Sequence, residues 1–330
     1  MIAQTSPTIQ PEAWQRDLRE AYLRPADLLA DLGLPAANCV AVPRFPFRVP
    51  RPYAARMRPG DPGDPLLLQV LPHAAEHDVN PGFVADPVGD LAAEKAPGLL
   101  HKYPGRALLL LTGACAVHCR YCFRQHFPYA GKLGDDKLAA AFATLAADAS
   151  ISEIILSGGD PLTLKDDALA RVVARLARIP HVRRLRIHTR LPVVIPNRVT
   201  DGLLAVLTRT RLKPVVVLHV NHAREIDAAL VAAAHRLTTA HVPVFNQSVL
   251  LAGINDDVAT LAGLSEALFD AGITPYYLHF LDRVAGAAHF DVPATHARAL
   301  AAALRARLPG YLVPRLVEEV AGAPAKMPLV

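Results

Sequence analysis

Residues 107–122 read ALLLLTGACAVHCRYC, a short apolar run that leads directly into three closely spaced cysteines. The run is too short to cross a membrane and is interrupted by a threonine and a glycine, so it predicts a buried β-strand followed by a loop. The loop places Cys115, Cys119 and Cys122 in the spacing C-x3-C-x2-C. We therefore expect the three thiols to lie together just beyond the end of a strand.

Strand-like and helix-like segments alternate from this stretch onward. After the first interval the predicted strands recur roughly every 30 residues, which is the length of a βα unit. They are ALLLLT (107–112), EIILS (153–157), RLRIH (184–188), VVVLHV (215–220), VFNQSVL (244–250) and PYYLHF (275–280). Successive βα units predict an α/β fold with parallel strands and outer helices, either a partial (β/α)6 TIM-like barrel or a doubly wound sheet. Both folds place functional residues at the carboxyl ends of the strands.

The first 100 residues do not follow this alternation. Residues 1–35 predict helices, because their apolar residues recur at helical spacing. Residues 43–65 are rich in proline and arginine, which suits either a linker or an ordered wrap around the barrel. Residues 66–76 predict one short helix, with irregular chain after it. We therefore expect an N-terminal helical and irregular extension.

The composition of the 330-residue chain is that of a globular protein, with 52% hydrophobic and 20% charged residues. It excludes a disordered chain, and four cysteines are too few for a small disulfide-built protein. The net charge of +5 requires no nucleic-acid partner, and no basic tract indicates one. Without a signal-peptide pattern or a membrane-length apolar run, we expect a cytoplasmic protein with no membrane partner, in which thiols stay reduced.

Three clustered thiols in a reducing compartment indicate a metal or cluster site before a disulfide. Three thiolates can hold three irons of a four-iron cluster and leave the fourth iron open to another ligand. Two alternatives stay open, namely a structural zinc site with His118 or His126 as the fourth ligand, and unligated core thiols. Zinc is less favoured because no distant second cysteine pair is present. The remaining cysteine, Cys39, is expected to be a packing thiol.

The cysteine motif, placed at the end of the first strand, resembles that of the radical S-adenosylmethionine (SAM) superfamily. The second predicted strand ends in Ser157, Gly158, Gly159 and Asp160, which resemble the superfamily motif that meets the methionine part of SAM. Glycines there let backbone groups approach a ligand closely. The resemblance implies a [4Fe–4S] cluster on the three cysteines and SAM bound next to it.

Longer segments narrow the resemblance to the lysine 2,3-aminomutases, in particular to the short bacterial type that supplies β-lysine for modification of elongation factor P. They include PGLLHKYPGRALLL, CRYCFRQHFPYA, SGGDPL and RIHTRLPVVIPNR. That family also uses pyridoxal phosphate, and Lys326 matches the lysine that binds it covalently. Lys102 and Arg106 match phosphate-binding positions, and Tyr103 is expected to pack at the cofactor. Without the resemblance, the three charged residues would be interpreted as surface charges.

The resemblance also implies ligands for the substrate L-lysine. Arg124 matches the residue that pairs with its α-carboxylate, and a guanidinium can hold a carboxylate bidentately. Asp282 and Glu319 match carboxylates that meet its ε-ammonium, and two such groups disfavour an acidic substrate because like charges repel. His219 and Gln247, near predicted strand ends, are expected to line the cofactor pocket.

The expected activity is the conversion of L-α-lysine to β-lysine by migration of the amino group, with the [4Fe–4S] cluster, SAM and pyridoxal phosphate as cofactors. A radical aminomutase for another amino acid and a zinc-stabilised binding protein are the alternatives. We expect an N-terminal wrap (1–100), a barrel (101–315) and a C-terminal segment that carries the cofactor lysine (316–330). The expected partners are an electron donor protein and, through its product, a ligase that modifies elongation factor P.

Overall fold

The computed structural model describes residues 12–38 and 45–329. The start of the predicted N-terminal helical region and Cys39 lie outside these ranges. Among the described residues, ten strands form one sheet whose strands follow one another in chain order. They are β1 (Glu94–Ala96), β2 (Leu99–Tyr103), β3 (Arg106–Thr112), β4 (Glu153–Gly158), β5 (Arg184–Thr189), β6 (Lys213–Leu218), β7 (Val244–Val249), β8 (Thr274–His279), β9 (Arg315–Glu318) and β10 (Met327–Pro328).

The strands β3 to β9 run parallel, each bonded to the next, while β1, β2 and β10 extend the two edges in antiparallel pairs. The helices are α1 (Ala13–Arg19), α2 (Pro25–Asp31), α3 (Arg51–Ala54), α4 (Pro65–Leu68), α5 (Asp135–Ala147), α6 (Asp166–Ala177), α7 (Leu191–Val194), α8 (Asp201–Thr208), α9 (Ala228–Thr239), α10 (Val258–Asp270) and α11 (Ala294–Arg307). Short 3₁₀ turns connect several of these elements.

All six predicted strands are present as β3 to β8, and the fold is a partial α/β barrel of the TIM type, as predicted. The residues of its strands that face the covering helices are apolar; β4, for example, is buried at five of its six residues. Polar side chains begin several of the covering helices by accepting backbone N–H bonds, as Thr200, Asp227 and Asp257 do for α8, α9 and α10. The parallel strand β9 was not predicted.

The N-terminal extension contains more regular structure than predicted. The single helix predicted over 66–76 is wrong, because the chain forms α4 and then a separate 3₁₀ turn over Ala74–His77. Pro72 explains the break, since proline has no N–H to donate and disfavours helical backbone in the residue before it. The predicted irregular chain up to residue 100 contains β1 and the beginning of β2.

The described part of the proline- and arginine-rich segment, 45–65, is an ordered wrap and not a linker. Its Tyr53 and Met57 are buried in the main hydrophobic core. The extension also pairs with the loop after β8, where Val84 and Val284 form a parallel bridge. The predicted domain boundaries after residues 100 and 315 fall inside β2 and β9 of the one sheet, so the division into three parts stays a prediction.

Two consecutive glycines at the end of β4 lock the cysteine-bearing loop to the sheet. The backbone N–H of Gly159 donates to the carbonyl of Thr112 (2.7 Å), and that of Asp160 donates to the carbonyl of Ala114 (2.8 Å). A Cβ atom on Gly158 would overlap the Thr112 carbonyl oxygen, and one on Gly159 would overlap that of Ala114. Only glycine lets the two backbones approach this closely.

Replacing Gly159 with alanine should therefore destabilise the chain by about 3 kcal/mol, the upper range for overpacking a filled site. Gly263 in α10 is the matched control, because a Cβ there would meet nothing within 4 Å. Gly263→Ala should leave stability unchanged or raise it by up to about 1 kcal/mol, the helix propensity difference. Urea unfolding of the cofactor-free proteins measures both changes. Equal stability of the two variants would contradict the proposed close approach.

Candidate active site

A cavity of about 460 Å³ lies inside the barrel, and its lining includes residues at both ends of the parallel strands. Apart from the alternative zinc ligands His118 and His126, every site residue predicted from the sequence lines it, and the predicted roles of these residues stay predictions. They are Lys102, Tyr103, Arg106, Cys115, Cys119, Cys122, Arg124, Ser157, Gly158, Gly159, Asp160, His219, Gln247, Asp282, Glu319 and Lys326. The fold thus brings together side chains that are separated by more than 200 positions in the sequence.

The three cysteines of the loop after β3 are free thiols that share this cavity. Burial and the charges of the neighbouring thiolates raise the pKa of Cys115 well above its usual value, and they raise the pKa of Cys122 to about 11. Bound iron would remove this penalty, because a metal cation stabilises thiolates directly. The three-thiol set therefore fits an iron–sulfur cluster.

The two histidines that were candidate zinc ligands contact other parts of the chain. A ring nitrogen of His126 lies 3.0 Å from the carbonyl oxygen of Ala285, and the ring of His118 packs against Phe45. Within residues 12–38 and 45–329, no three His, Cys, Asp or Glu side chains are close enough to bind one metal ion. The zinc alternative therefore has no ligand set in the described structure.

Asp160 organises the rim of the cavity. Its carboxylate accepts hydrogen bonds from the Thr189 hydroxyl and from the backbone N–H groups of Leu162, Arg190 and Leu191. Burial raises the pKa of this carboxyl despite these bonds. Because both of its oxygens are already in use, the backbone at Gly158 is the part of the predicted SAM motif better placed for contact with a ligand.

Five charged side chains of alternating sign form a continuous chain along the cavity. Arg124 Nε lies 2.6 Å from Asp90 Oδ2, and Asp90 Oδ1 lies 2.5 Å from Lys102 Nζ. Lys102 Nζ donates to Glu319 Oε1 (2.8 Å), and Lys326 Nζ donates to Glu319 Oε2 (2.5 Å). This charged chain connects Arg124, which is predicted to bind the substrate carboxylate, to Lys326, which is predicted to bind the cofactor.

The antiparallel pairing of β9 and β10 explains how two members of the charged chain meet. Glu319 follows β9, and Lys326 precedes β10; Met327 is the register partner of Glu318. The hairpin therefore brings Glu319 and Lys326 face to face although seven positions separate them. Although burial opposes it, the charges of Lys326 and Lys102 lower the pKa of Glu319 well below its usual value, so this carboxylate is ionised.

Asp282 differs from Glu319 in its electrostatic environment. It lies in the loop after β8, and burial together with the nearby charge of Glu319 raises its pKa to about 7. Near neutral pH this carboxyl is therefore divided between its protonated and ionised forms. Perturbation of this size, from burial and a specific charge, is common at functional sites.

The two predicted phosphate ligands are placed differently. Lys102 is held between Asp90 and Glu319, so two carboxylates already balance its charge. The guanidinium of Arg106 lies 4.6 Å from the centre of the Tyr103 ring and has no carboxylate within ion-pair distance among the described residues. Arg106 is therefore the cation with more capacity to bind an anion.

His219 and Gln247 interact on the cavity wall, where Gln247 Nε2 lies 2.6 Å from His219 Nε2. Burial and the nearby cations Arg190 and Lys326 lower the pKa of His219 to about 3, so the ring is neutral and this nitrogen accepts the bond. The pair can therefore present neutral polar groups to a bound ligand.

Sequence reasoning missed several residues that line the cavity. His188 is within the predicted strand 184–188 and His279 within 275–280, so the strand-end rule could have identified both. Asp90 also lines the cavity and contacts two predicted ligands, but no motif or periodicity surrounds it. Its role depends on long-range contacts that a sequence pattern does not record.

Comparison with known proteins places this geometry in a known class. The Radical SAM superfamily model matches residues 109–262. The chain is 47% identical over 324 residues to L-lysine 2,3-aminomutase of Escherichia coli (strain K12), with 96% of this chain and 94% of that protein covered. It is 45% identical to the Haemophilus influenzae protein of the same name (98% of each covered) and 35% identical to that of Clostridium subterminale (84% of this chain, 67% of that protein).

Among solved structures, a radical SAM methyltransferase from Sphaerobacter thermophilus is 22% identical with a TM-score of 0.45, over 67% of this chain and 68% of that one. With its three-cysteine loop at the end of the first parallel strand, the chain is a radical SAM protein. It belongs to the L-lysine 2,3-aminomutase family, which is a family of isomerases. Membership implies a [4Fe–4S] cluster, SAM and pyridoxal phosphate as cofactors.

Replacing Cys119 with alanine should abolish cluster assembly, because two thiolates and an open loop cannot hold three irons. Cys39, outside the motif, provides the matched control, and Cys39→Ala should assemble the cluster normally. Iron and sulfide analysis after anaerobic reconstitution, together with the electron paramagnetic resonance spectrum of the reduced protein, measures the outcome. A Cys119→Ala protein with normal iron, sulfide and spectrum would contradict the assignment.

Proposed function

We propose that this chain converts L-lysine to β-lysine by moving the α-amino group to the β-carbon. The observation that carries the proposal is the separation of charges in the cavity. Asp90 and Lys102 lie between the guanidinium of Arg124 and the carboxylate of Glu319, and the carboxyl group of Asp282 lines the same cavity, where the charge of Glu319 acts on it. A zwitterionic amino acid with a second ammonium group complements this arrangement. The similarity to lysine 2,3-aminomutases, at 47% and 45% identity over nearly the whole chain, supports the same substrate.

The substrate contacts follow from the donors and acceptors of these side chains. Arg124 binds the α-carboxylate, since a guanidinium holds a carboxylate through parallel hydrogen bonds. Asp282 and Glu319 bind the ε-ammonium. A glutamate side chain would bring a third carboxylate to these two and would be repelled, and ornithine, which is one methylene shorter, would hold its ammonium farther from them with its α-carboxylate on Arg124.

The same cavity holds the cofactors in this proposal. The three thiolates hold the cluster, the Ser157–Gly159 backbone with His219 and Gln247 contacts SAM, Lys326 binds pyridoxal phosphate covalently, and Arg106 holds its phosphate beside Tyr103. When bound, the cluster and SAM supply a hydrogen-abstracting radical, and pyridoxal phosphate carries the migrating amino group.

The residues of the chain also control where protons reside. Lys326 must lose a proton from Nζ to react as an amine. Glu319 Oε2 is the hydrogen-bond partner of that nitrogen, but its low pKa prevents it from retaining the proton. Asp282, with a pKa of about 7, can hold one at neutral pH.

The cellular role is a further part of the proposal. The resemblance to the short bacterial type supports supply of β-lysine to a ligase that modifies elongation factor P, and the radical chemistry calls for an electron donor protein. Identity of 47% and 45% to the Escherichia coli and Haemophilus influenzae proteins, against 35% to the clostridial one, supports the resemblance to the first two. We place the enzyme in the cytoplasm; no helix in the described residues is long and apolar enough to cross a membrane.

The substrate is tested with anaerobically reconstituted protein, SAM, pyridoxal phosphate and a chemical reductant. We expect β-amino acid from L-lysine and at least about 100-fold less from ornithine or glutamate, because a mispaired or absent charge at a buried site costs several kcal/mol. Lys326→Ala is the control, which should keep the iron–sulfur spectrum but form no product. Preferential turnover of glutamate or ornithine would contradict the proposal.

The pKa of Asp282 predicts how lysine affinity depends on pH. Only the ionised form attracts the ε-ammonium, so raising the pH from 6 to 8, through a pKa of about 7, should strengthen lysine binding. The ionised fraction predicts a gain of about tenfold from this group. The visible absorbance of the pyridoxal phosphate protein, titrated with lysine without reductant, reports the dissociation constant.

Asp282→Asn is the control for this measurement. Asp282→Asn should bind lysine more weakly, and its affinity should lack the pH dependence that Asp282 causes. It should retain any pH dependence that arises from the amines of lysine. The difference between the two curves therefore isolates the carboxyl group. Parallel curves for the wild type and Asp282→Asn would show that Asp282 does not titrate in this range.

A further inference from the structure

Asp90 is a buried carboxylate of the N-terminal extension, only 1% exposed, that reaches into the substrate cavity. Its backbone is held in a tight turn, where the N–H groups of Asp90 and Leu91 both donate to the Asp86 carboxylate. Although burial opposes it, the charges of Arg124 and Lys102 lower the pKa of Asp90, so it is ionised. A fixed backbone and a fixed charge make it a rigid anchor.

Asp90 uses one particular donor of Arg124. Asp90 Oδ2 accepts from Nε at 2.6 Å, while Ser157 Oγ accepts from Nη1 at 3.1 Å. The ring of Phe123 lies under the guanidinium, 4.6 Å from its central carbon. Within the described residues Nη2 donates to no protein atom. The plane and the rotation of the guanidinium are therefore both fixed.

The use of Nε limits how a carboxylate can bind. A guanidinium can meet a carboxylate side-on through Nε and one Nη atom, or end-on through Nη1 and Nη2. Asp90 occupies Nε and thereby removes the side-on mode. The end-on edge, with Nη2 unused and Nη1 carrying a second hydrogen, remains for the ligand.

The second oxygen of Asp90 also influences the groups that are proposed to bind the ε-ammonium of the substrate. Asp90 Oδ1 pairs with Lys102, and Lys102 in turn donates to Glu319 Oε1 and to the Val88 carbonyl oxygen. The Asp90 carboxylate thus sets the position of the Arg124 guanidinium. It also sets the position of Lys102, the cation that pairs with Glu319.

We infer that Asp90 is a positioning residue for the amino-acid substrate, which orients Arg124 so that its Nη1–Nη2 edge receives the α-carboxylate. The inference rests on the proposed function, because it assumes that Arg124 binds that carboxylate. Asp90 does not touch the substrate in this arrangement; it acts through Arg124.

The test compares L-lysine with L-lysinamide, which keeps both amines but lacks the carboxylate. Dissociation constants come from the visible absorbance of the pyridoxal phosphate protein, without reductant and without turnover. In Asp90→Asn, affinity for lysine should fall roughly 10- to 100-fold, the range for a lost charged hydrogen bond. Affinity for lysinamide should fall several-fold less, because this ligand loses only the indirect effect through Lys102 and Glu319, so most of the preference for lysine is lost.

Asp64→Asn is the matched control. Asp64 is also a fully buried carboxylate of the extension that pairs with a barrel arginine, Arg224, at 2.5 Å, but it does not line the cavity. Asp64→Asn should keep the preference of the wild type for lysine over lysinamide. The double variant Asp90→Asn/Lys102→Met removes one charge of each sign and is used if Asp90→Asn alone does not fold. It should also lose the preference for lysine over lysinamide.

The outcomes separate this inference from the proposed function. If the wild type binds lysinamide as well as lysine, Arg124 is not the carboxylate ligand, and the proposed substrate contacts fail together with this role. If the wild type prefers lysine and the Asp90 variants keep that preference, or bind lysine more tightly because a competing carboxylate is gone, the positioning role alone is overturned.

Discussion

Buried guanidinium groups at the rim of the barrel require partners, and the N-terminal extension supplies them. An isolated buried cation is strongly unfavourable, and removal of one partner from a buried pair costs several kcal/mol. Four polar side chains of the extension that are buried in the structure each meet a different barrel arginine: Asp64 with Arg224, Gln69 with Arg190, Glu76 with Arg120, and Asp90 with Arg124. The extension and the barrel rim are therefore joined by buried polar contacts.

This pairing explains why the cysteine loop has a defined shape before any cofactor is considered. Arg120 lies between Cys119 and Cys122 in the sequence, and its side chain is fixed by Glu76 and by the carbonyls of Phe45 and Pro46. On the opposite side the two glycines after β4 hold the start of the loop. Both contacts act on backbone or on buried charge, so the positions of the thiols are determined by the protein itself.

The parts of this structure that sequence could predict are those with local signals. Apolar runs identified β3 to β8 because the residues of each strand that face the covering helices are apolar, and the cysteine spacing located the site. The segment 66–76 was misread because one proline outweighed its apolar pattern. The strand β9 was missed because it is only four residues long. Asp90 could not be found, because its partners Arg124 and Lys102 lie in other elements and only the folded chain brings them together.

The number of cations around Glu319 connects the fold to the proposed chemistry. Glu319 Oε1 accepts from Lys102, and Oε2 accepts from Lys326, so this one buried carboxylate serves two ammonium groups. A lysine substrate introduces an ammonium of the same kind as that of Lys326. Where Lys326 holds its cofactor covalently, Oε2 would be free to meet an incoming ε-ammonium, and the number of cations around Glu319 would stay at two. A Lys326 released by the substrate would be a third cation, so the site also needs the carboxyl group of Asp282 to avoid leaving a buried charge unpaired.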